Sequence, residues 1–226
     1  LTNNQYGFHC DELATLHDAR NLAWGFIADP PLTPLLGSIE LKLFGTSLVG
    51  FRFFSALSQS IVMVFAGLMA KELGGSRRAQ ILAAFGTGIG MFTLIQGALF
   101  QYVAFDFLWV VLLAYFTIRL LKTDNPRWWL AIGAVIGLGM MTRYTMGVHV
   151  IGLILAVLLT QTRKHLKSPW LWAGVVIAFV VFLPNIIWQI QHNFISLEFQ
   201  KSIHERDVNL GRANGYFIDQ LLMANP

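Results

Sequence analysis

Residues 128–161 read WWLAIGAVIGLGMMTRYTMGVHVIGLILAVLLTQ. A membrane span needs about 20 mainly apolar residues, within a range of roughly 17 to 25. This stretch is too long for one span and carries Arg143 near its middle. Two short spans, 128–142 and 146–161, fit it better. The basic residues on either side support that division. Lys71, Arg77 and Arg78 form one basic loop, Arg119, Lys122 and Arg127 a second, and Arg163, Lys164 and Lys167 a third. The positive-inside rule places all three on the cytoplasmic side, so the chain must cross an even number of times between Arg127 and Arg163. The 128–161 stretch is therefore expected to be a hairpin with Arg143 at its outer turn.

Working outward, further apolar runs occupy 47–70, 79–100, 103–122 and 169–190. The expected fold is an all-α polytopic membrane bundle with six spans. Residues 1–46 and 191–226 then lie outside as two loops of one membrane domain. The chain opens on Leu1 with no signal-peptide pattern, and it is expected to be a fragment with membrane segments on both sides. Composition agrees with this class. Hydrophobic residues make up 55% of the chain, charged residues 12%, and the mean hydropathy is +0.58. Soluble domains carry about 25% charged residues, which excludes an ordinary soluble enzyme. The net charge of +4 is spread between apolar runs, so no nucleic-acid partner is expected. The single cysteine, Cys10, forms no internal disulfide.

This topology gathers the remaining polar groups on the outer side. Asp11 and Glu12 lie in the first outer segment, Asp106 near the outer end of the third span, and Arg143 at the hairpin turn. Lys201, His204, Glu205, Arg206, Asp207 and Arg212 follow the last span. Residues 11–27 read as an amphipathic helix lying on the membrane, with Leu13, Leu16, Ala23 and Ile27 near one stripe. Pro30-Pro31 breaks it, and a second short interfacial helix is expected over about 34–44, ending at Gly45. On this pattern alone, Asp11 and Glu12 are as readily a solvated helix start as a catalytic pair.

The run Phe8-His9-Cys10-Asp11-Glu12-Leu13, then Ala19-Arg20, Asp29-Pro30-Pro31-Leu32-Thr33-Pro34-Leu35, Leu43-Phe44-Gly45 and Arg52 resembles the bacterial glycosyltransferase family 39 proteins. Their membrane domain is of the dolichyl-phosphate-mannose protein mannosyltransferase type. Gly137-Leu138-Gly139-Met140-Met141-Thr142-Arg143-Tyr144, Ser168-Pro169-Trp170-Leu171-Trp172 and Phe182-Leu183-Pro184-Asn185-Ile186-Ile187-Trp188 are similar to later segments of the same family. The resemblance implies a GT-C fold and a polyprenyl-phosphate-linked sugar donor. It also implies inverting transfer to a hydroxyl acceptor at the outer, periplasmic face of a bacterial inner membrane. Relatives include protein O-mannosyltransferases and the enzymes that add aminoarabinose or galacturonic acid to lipid A.

By position, the catalytic carboxylate of that family maps to Asp11, with Glu12 as its neighbour, and the second acidic position most nearly to Asp106. Many relatives have a lysine before Pro-Pro where this chain has Asp29. The family's Thr-Lys is here Thr142-Arg143, which keeps the charge with a different geometry. Arg143 and Arg20 are the candidates for holding donor phosphate, with Lys201 and Arg206 behind them.

Other motifs read as packing. An Asp106–Arg143 ion pair at the membrane edge would be purely structural, and His149 is expected to be a packing residue. His9, Cys10, Asp11 and His17 are metal-ligand types at a spacing that matches no familiar motif, so neither metal nor cofactor is expected. Trp128, Trp129, Trp170 and Trp172 fit an interfacial belt. Gly133 and Gly137 give a small-residue face for helix packing, and Gly86, Gly88 and Gly90 are read the same way. The competing functions are a transporter or flippase for a lipid-linked substrate and a catalytically inactive scaffold. Transporters place intramembrane charge near the midplane, whereas here it gathers at one face.

Overall fold

The computed structural model describes residues 7–211. The outermost parts of both predicted loops, Arg212 among them, lie outside the described residues. Among the described residues the chain is all helical, without strands. The helices are α1 (Cys10–Arg20), α2 (Leu32–Phe44), α3 (Phe53–Glu72), α4 (Arg77–Ile89), α5 (Met91–Ala98), α6 (Tyr102–Thr123), α7 (Trp128–Met140), α8 (Met146–Leu159), α9 (Pro169–Gln191) and α10 (Ile195–Asn209). Gly50–Glu72, Tyr102–Thr123 and Pro169–Gln191 are each long and apolar enough to cross a membrane. The pair α4 and α5 passes the same test together but bends by 56°. Helices α7 and α8 are shorter, about 20 Å each at 1.5 Å per residue.

Tertiary bonds fix the direction of these helices. At one end of the bundle Glu72 of α3 meets Arg119 and Lys122 of α6 at 2.7 and 3.0 Å. Asp124, just past α6, meets Lys164 and His165 beyond α8 at 2.5 and 3.2 Å. At the other end Gln101, just before α6, reaches Asp11 at 3.0 Å, and Thr145 reaches Asp106 at 3.4 Å. The chain reverses at residues 141–145, so α7 and α8 run antiparallel with Arg143 at their turn. Thr142 secures that turn. Its hydroxyl accepts from Trp109 Nε1 at 2.8 Å and donates to the Leu138 carbonyl at 3.0 Å.

The predicted helix over 11–27 is shorter than expected. Asn21 ends α1, its amide returning to the His17 carbonyl at 3.0 Å. Beyond it, other elements take up the peptide groups. Asn185 donates to the Trp24 carbonyl and Ser196 to the Phe26 carbonyl, both at 2.9 Å, and Leu32 N–H donates to the Met141 carbonyl, also at 2.9 Å. Gly25 lies flat against the Trp188 ring, where a Cβ would come within 2.3 Å of a ring carbon. Leu13 and Ile27 are exposed, and the residues α1 buries are Glu12 and Ala19.

The predicted span 79–100 breaks at Gly90, whose backbone leaves helical geometry. Of the three glycines there, Gly88 packs on Met63, Gly86 faces open space and Gly90 makes the bend. Trp129 likewise leaves the predicted belt for the core. The glycine face of α7 behaves as expected. A Cβ on Gly133 would lie 2.1 Å from the Gly174 carbonyl oxygen, and one on Gly137 2.8 Å from Val181. At Gly133 backbone meets backbone, so no flexible side chain can yield. Gly133→Ala is expected to push α7 from α9 and cost on the order of 2–3 kcal/mol, read as a lowered unfolding midpoint in detergent. A midpoint equal to wild type would contradict this packing.

Buried Glu40 on α2 was not expected from an interfacial helix. It accepts the Phe54 N–H at the start of α3, filling one of that helix's unsatisfied donors. Burial pushes its carboxyl up to about 8 against the opposing pull of that N–H, so it is neutral at pH 7.

Candidate active site

Helix α1 starts with a capping box, which decides where its two acids point. The His9 ring accepts from Asp11 N–H at 3.3 Å, and Glu12 Oε2 accepts from His9 N–H at 2.8 Å. The Glu12 side chain therefore turns inward and is fully buried. Arg52 approaches it with two parallel bonds, Nε to Oε1 at 2.7 Å and Nη2 to Oε2 at 2.6 Å. Phe100 N–H completes the shell at 2.8 Å from Oε1. Burial alone would raise the Glu12 carboxyl, but Arg52 and the two backbone N–H groups outweigh it and hold it below its ordinary range. Phe51, Phe100 and Phe105 pack below this clamp.

Asp11 points outward on the same turn. Its side chain is 66% exposed. Oδ2 accepts from Gln101 Nε2 at 3.0 Å and lies 3.5 Å from His9 Nδ1, while Oδ1 has the Cys10 thiol at 3.7 Å. The donor atoms of His9, Cys10 and Asp11 all lie within 4.8 Å of one another; His17 is not part of that group.

The charges of Arg143, Asp18, Asp106 and Asp11 all act on Asp29. The guanidinium of Arg143 lies over the Tyr102 ring, 4.5 Å from its centroid. No ion pair joins Arg143 to Asp106 among the described residues, so the purely structural pairing is not formed. Asp106 Oδ2 instead accepts from Thr145, while Oδ1 is buried without a partner. Asp29 is the residue that sequence reasoning placed least well, treating it only as a lost lysine. It is half-buried, and burial raises its carboxyl to about 6; Arg143 pulls it down while Asp18, Asp106 and Asp11 push it up. Burial also raises Asp18, against His17. Tyr102 was missed as well, since one tyrosine at a span end carries no sequence signal of its own.

Arg20 is exposed at the far end of α1 and makes no side-chain hydrogen bond among the described residues. It is not among the charges acting on Asp29. Lys201 and Arg206 on α10 are exposed and face Glu205 at 3.9 Å and Asp207 at 3.0 Å. His149 is exposed. Arg143 is thus the arginine brought to the acidic cluster.

Fold and site together define an all-α polytopic integral membrane protein with a carboxylate-rich site at one end of its helices. A family model described as dolichyl-phosphate-mannose-protein mannosyltransferase matches residues 28–188. The chain belongs to that family and is a membrane glycosyltransferase of the GT-C type, mannosyltransferase-like in general. The family implies a lipid-linked sugar donor. The match includes Asp29, Arg52, Asp106 and Arg143, whereas Asp11, Glu12 and Arg20 precede it. No curated protein and no solved structure matches the chain.

Proposed function

We propose that this protein transfers a sugar from a polyprenyl-phosphate donor to a hydroxyl acceptor with inversion at the anomeric carbon. The observation that carries the reading is the division of labour at the start of α1. Glu12 is consumed by the Arg52 clamp, and its neighbour Asp11 is left exposed with Oδ1 free of any N–H donor.

Asp11 serves as the base. Its Oδ1 takes the acceptor hydroxyl proton as that oxygen attacks the anomeric carbon, and Gln101 fixes the carboxylate through Oδ2. The new glycosidic C–O bond forms as the C–O bond to phosphate breaks. Both electrons of the broken bond leave with the lipid phosphate, already a good anion, so no general acid is needed. Arg143 meets that charge. Held over Tyr102, it can turn its N–H groups to two phosphate oxygens. Because Arg143 supplies the cation, the reading requires no metal. Asp106 shapes the cluster, and Arg20 makes no contact with the reacting groups. Three basic loops at the opposite end from Asp11 favour an outer-face, periplasmic site.

The test uses membranes holding the full-length protein, a panel of labelled polyprenyl-phosphate sugars, and identification of the product, with and without EDTA. Transfer of label from one donor, unaffected by EDTA, is the expected result. Movement of a lipid-linked sugar across the bilayer with no glycosidic bond formed would instead identify a transporter. Failure of every donor would leave only the scaffold.

Asp29 makes a pH prediction. Its carboxyl is neutral below about 6 and charged above it. When charged, it repels donor phosphate and competes for Arg143. Donor KM is therefore expected to rise between pH 5 and pH 7, by roughly three- to tenfold for one like charge in a half-buried site. Asp29→Asn should hold KM at the low-pH level throughout. An unchanged KM profile in that variant would remove Asp29 from the donor site.

A further inference from the structure

The end of the bundle far from Asp11 carries a second site. The direct contact of Gly133 with Gly174 draws α7 and α9 together, and α8 stands off from them. The gap is an apolar groove of about 360 Å³, with Val150, Leu153 and Val157 of α8 facing Ile132, Ile136 and Val175. At its mouth the chain turns by 99° out of α8 into the short 3-10 segment Gln161–Lys167. Trp172 Nε1 donates to the Leu166 carbonyl at 2.9 Å and pins that segment across the opening. A second cleft is lined by Gln161, Arg163, Lys164, Leu166 and Lys167. Leu166 lines both spaces, so the apolar groove and the basic cleft lie side by side at this residue.

The charges there are unequally engaged. Lys164 is paired with Asp124. Arg163 and Lys167 are exposed, and their side chains have no hydrogen-bond or ion-pair partner among the described residues. The geometry points to a binding site for an anionic glycerophospholipid, with an acyl chain in the groove and its phosphate on Arg163 and Lys167. The position agrees with such a ligand. Helix α6 spans about 33 Å between Gln101 and Asp124 at 1.5 Å per residue, which matches a hydrocarbon core of about 30 Å. Arg163 and Lys167 therefore stand at headgroup level in the leaflet opposite Asp11. A zwitterionic lipid would bring its own ammonium against these cations, whereas an anionic headgroup brings none. The inference rests on the membrane character of the fold and is independent of the transfer reaction.

Native mass spectrometry of the full-length protein tests it, with phosphatidylglycerol and phosphatidylcholine of the same chain length supplied in equal amounts. Two cations near the surface give an expected preference for phosphatidylglycerol of roughly tenfold to thirtyfold. Arg163→Gln with Lys167→Gln should bring the ratio close to one while leaving phosphatidylcholine retention unchanged. Val157→Trp, which fills the groove, should reduce retention of both lipids. A preference that survives the double glutamine variant overturns the headgroup assignment. Undiminished retention in Val157→Trp overturns the groove. A photoreactive residue at position 158 that crosslinks to polypeptide rather than lipid overturns both.

Discussion

Asp11→Asn is expected to lower sugar transfer by about 10²- to 10⁴-fold, the range over which a positioned base accelerates proton transfer. The substitution keeps the size of the side chain and one acceptor oxygen for Gln101. It removes the group that takes the proton. Because Asp11 is 66% exposed and the fold makes little use of it, the unfolding midpoint should not move. Donor KM should not rise, since Arg143 rather than Asp11 meets the phosphate and one repelling charge is removed, so the loss should fall on kcat. Transfer within a fewfold of wild type, measured from a lipid-linked donor in membranes, would eliminate Asp11 as the base.

The second large effect belongs to its neighbour and is one of stability. Glu12→Gln leaves Arg52 charged and buried without the Glu12 carboxylate that meets its Nε and Nη2. Breaking a buried pair from one side costs about 3–5 kcal/mol. At roughly 2–4 °C per kcal/mol for a chain of this size, the unfolding midpoint in detergent should fall by about 6–20 °C. Replacing both partners, Glu12→Leu with Arg52→Leu, should recover part of that loss, because no buried charge then remains. A midpoint within about a degree of wild type for Glu12→Gln would show that the clamp does not carry the fold. The pH dependence has a definite sign. The folded-state carboxyl of Glu12 lies below its ordinary 4.5, so its stabilising contribution is complete above that value. It is lost as acid takes the pH down through the folded-state value.

The same two residues show how far the sequence could be read. Apolar runs of the right length and basic loops at intervals make the all-α membrane class legible, since hydropathy and sidedness are properties of stretches of chain. The glycine face of α7 was legible for a related reason: a missing side chain permits close approach whatever the partner is. The extent of α1 was not legible. Its end is set by bonds from Asn185, Ser196 and Met141, each more than 100 positions further along the chain. The reading of Asp29 failed similarly. As a letter before Pro-Pro it was only an absent lysine, but burial beside Asp18, Asp106 and Arg143 makes it a titrating group.

Asp11 and Glu12 are adjacent, equally acidic and equally expected at a helix start. By itself the sequence determined that an acidic pair stands beside a membrane bundle, because composition and order alone carry that information. Only the tertiary structure decided which acid is free. The helical turn points one carboxylate into the aromatic layer, where Arg52 and Phe100 N–H arrive from segments 40 and 88 residues away, and leaves the other in the open.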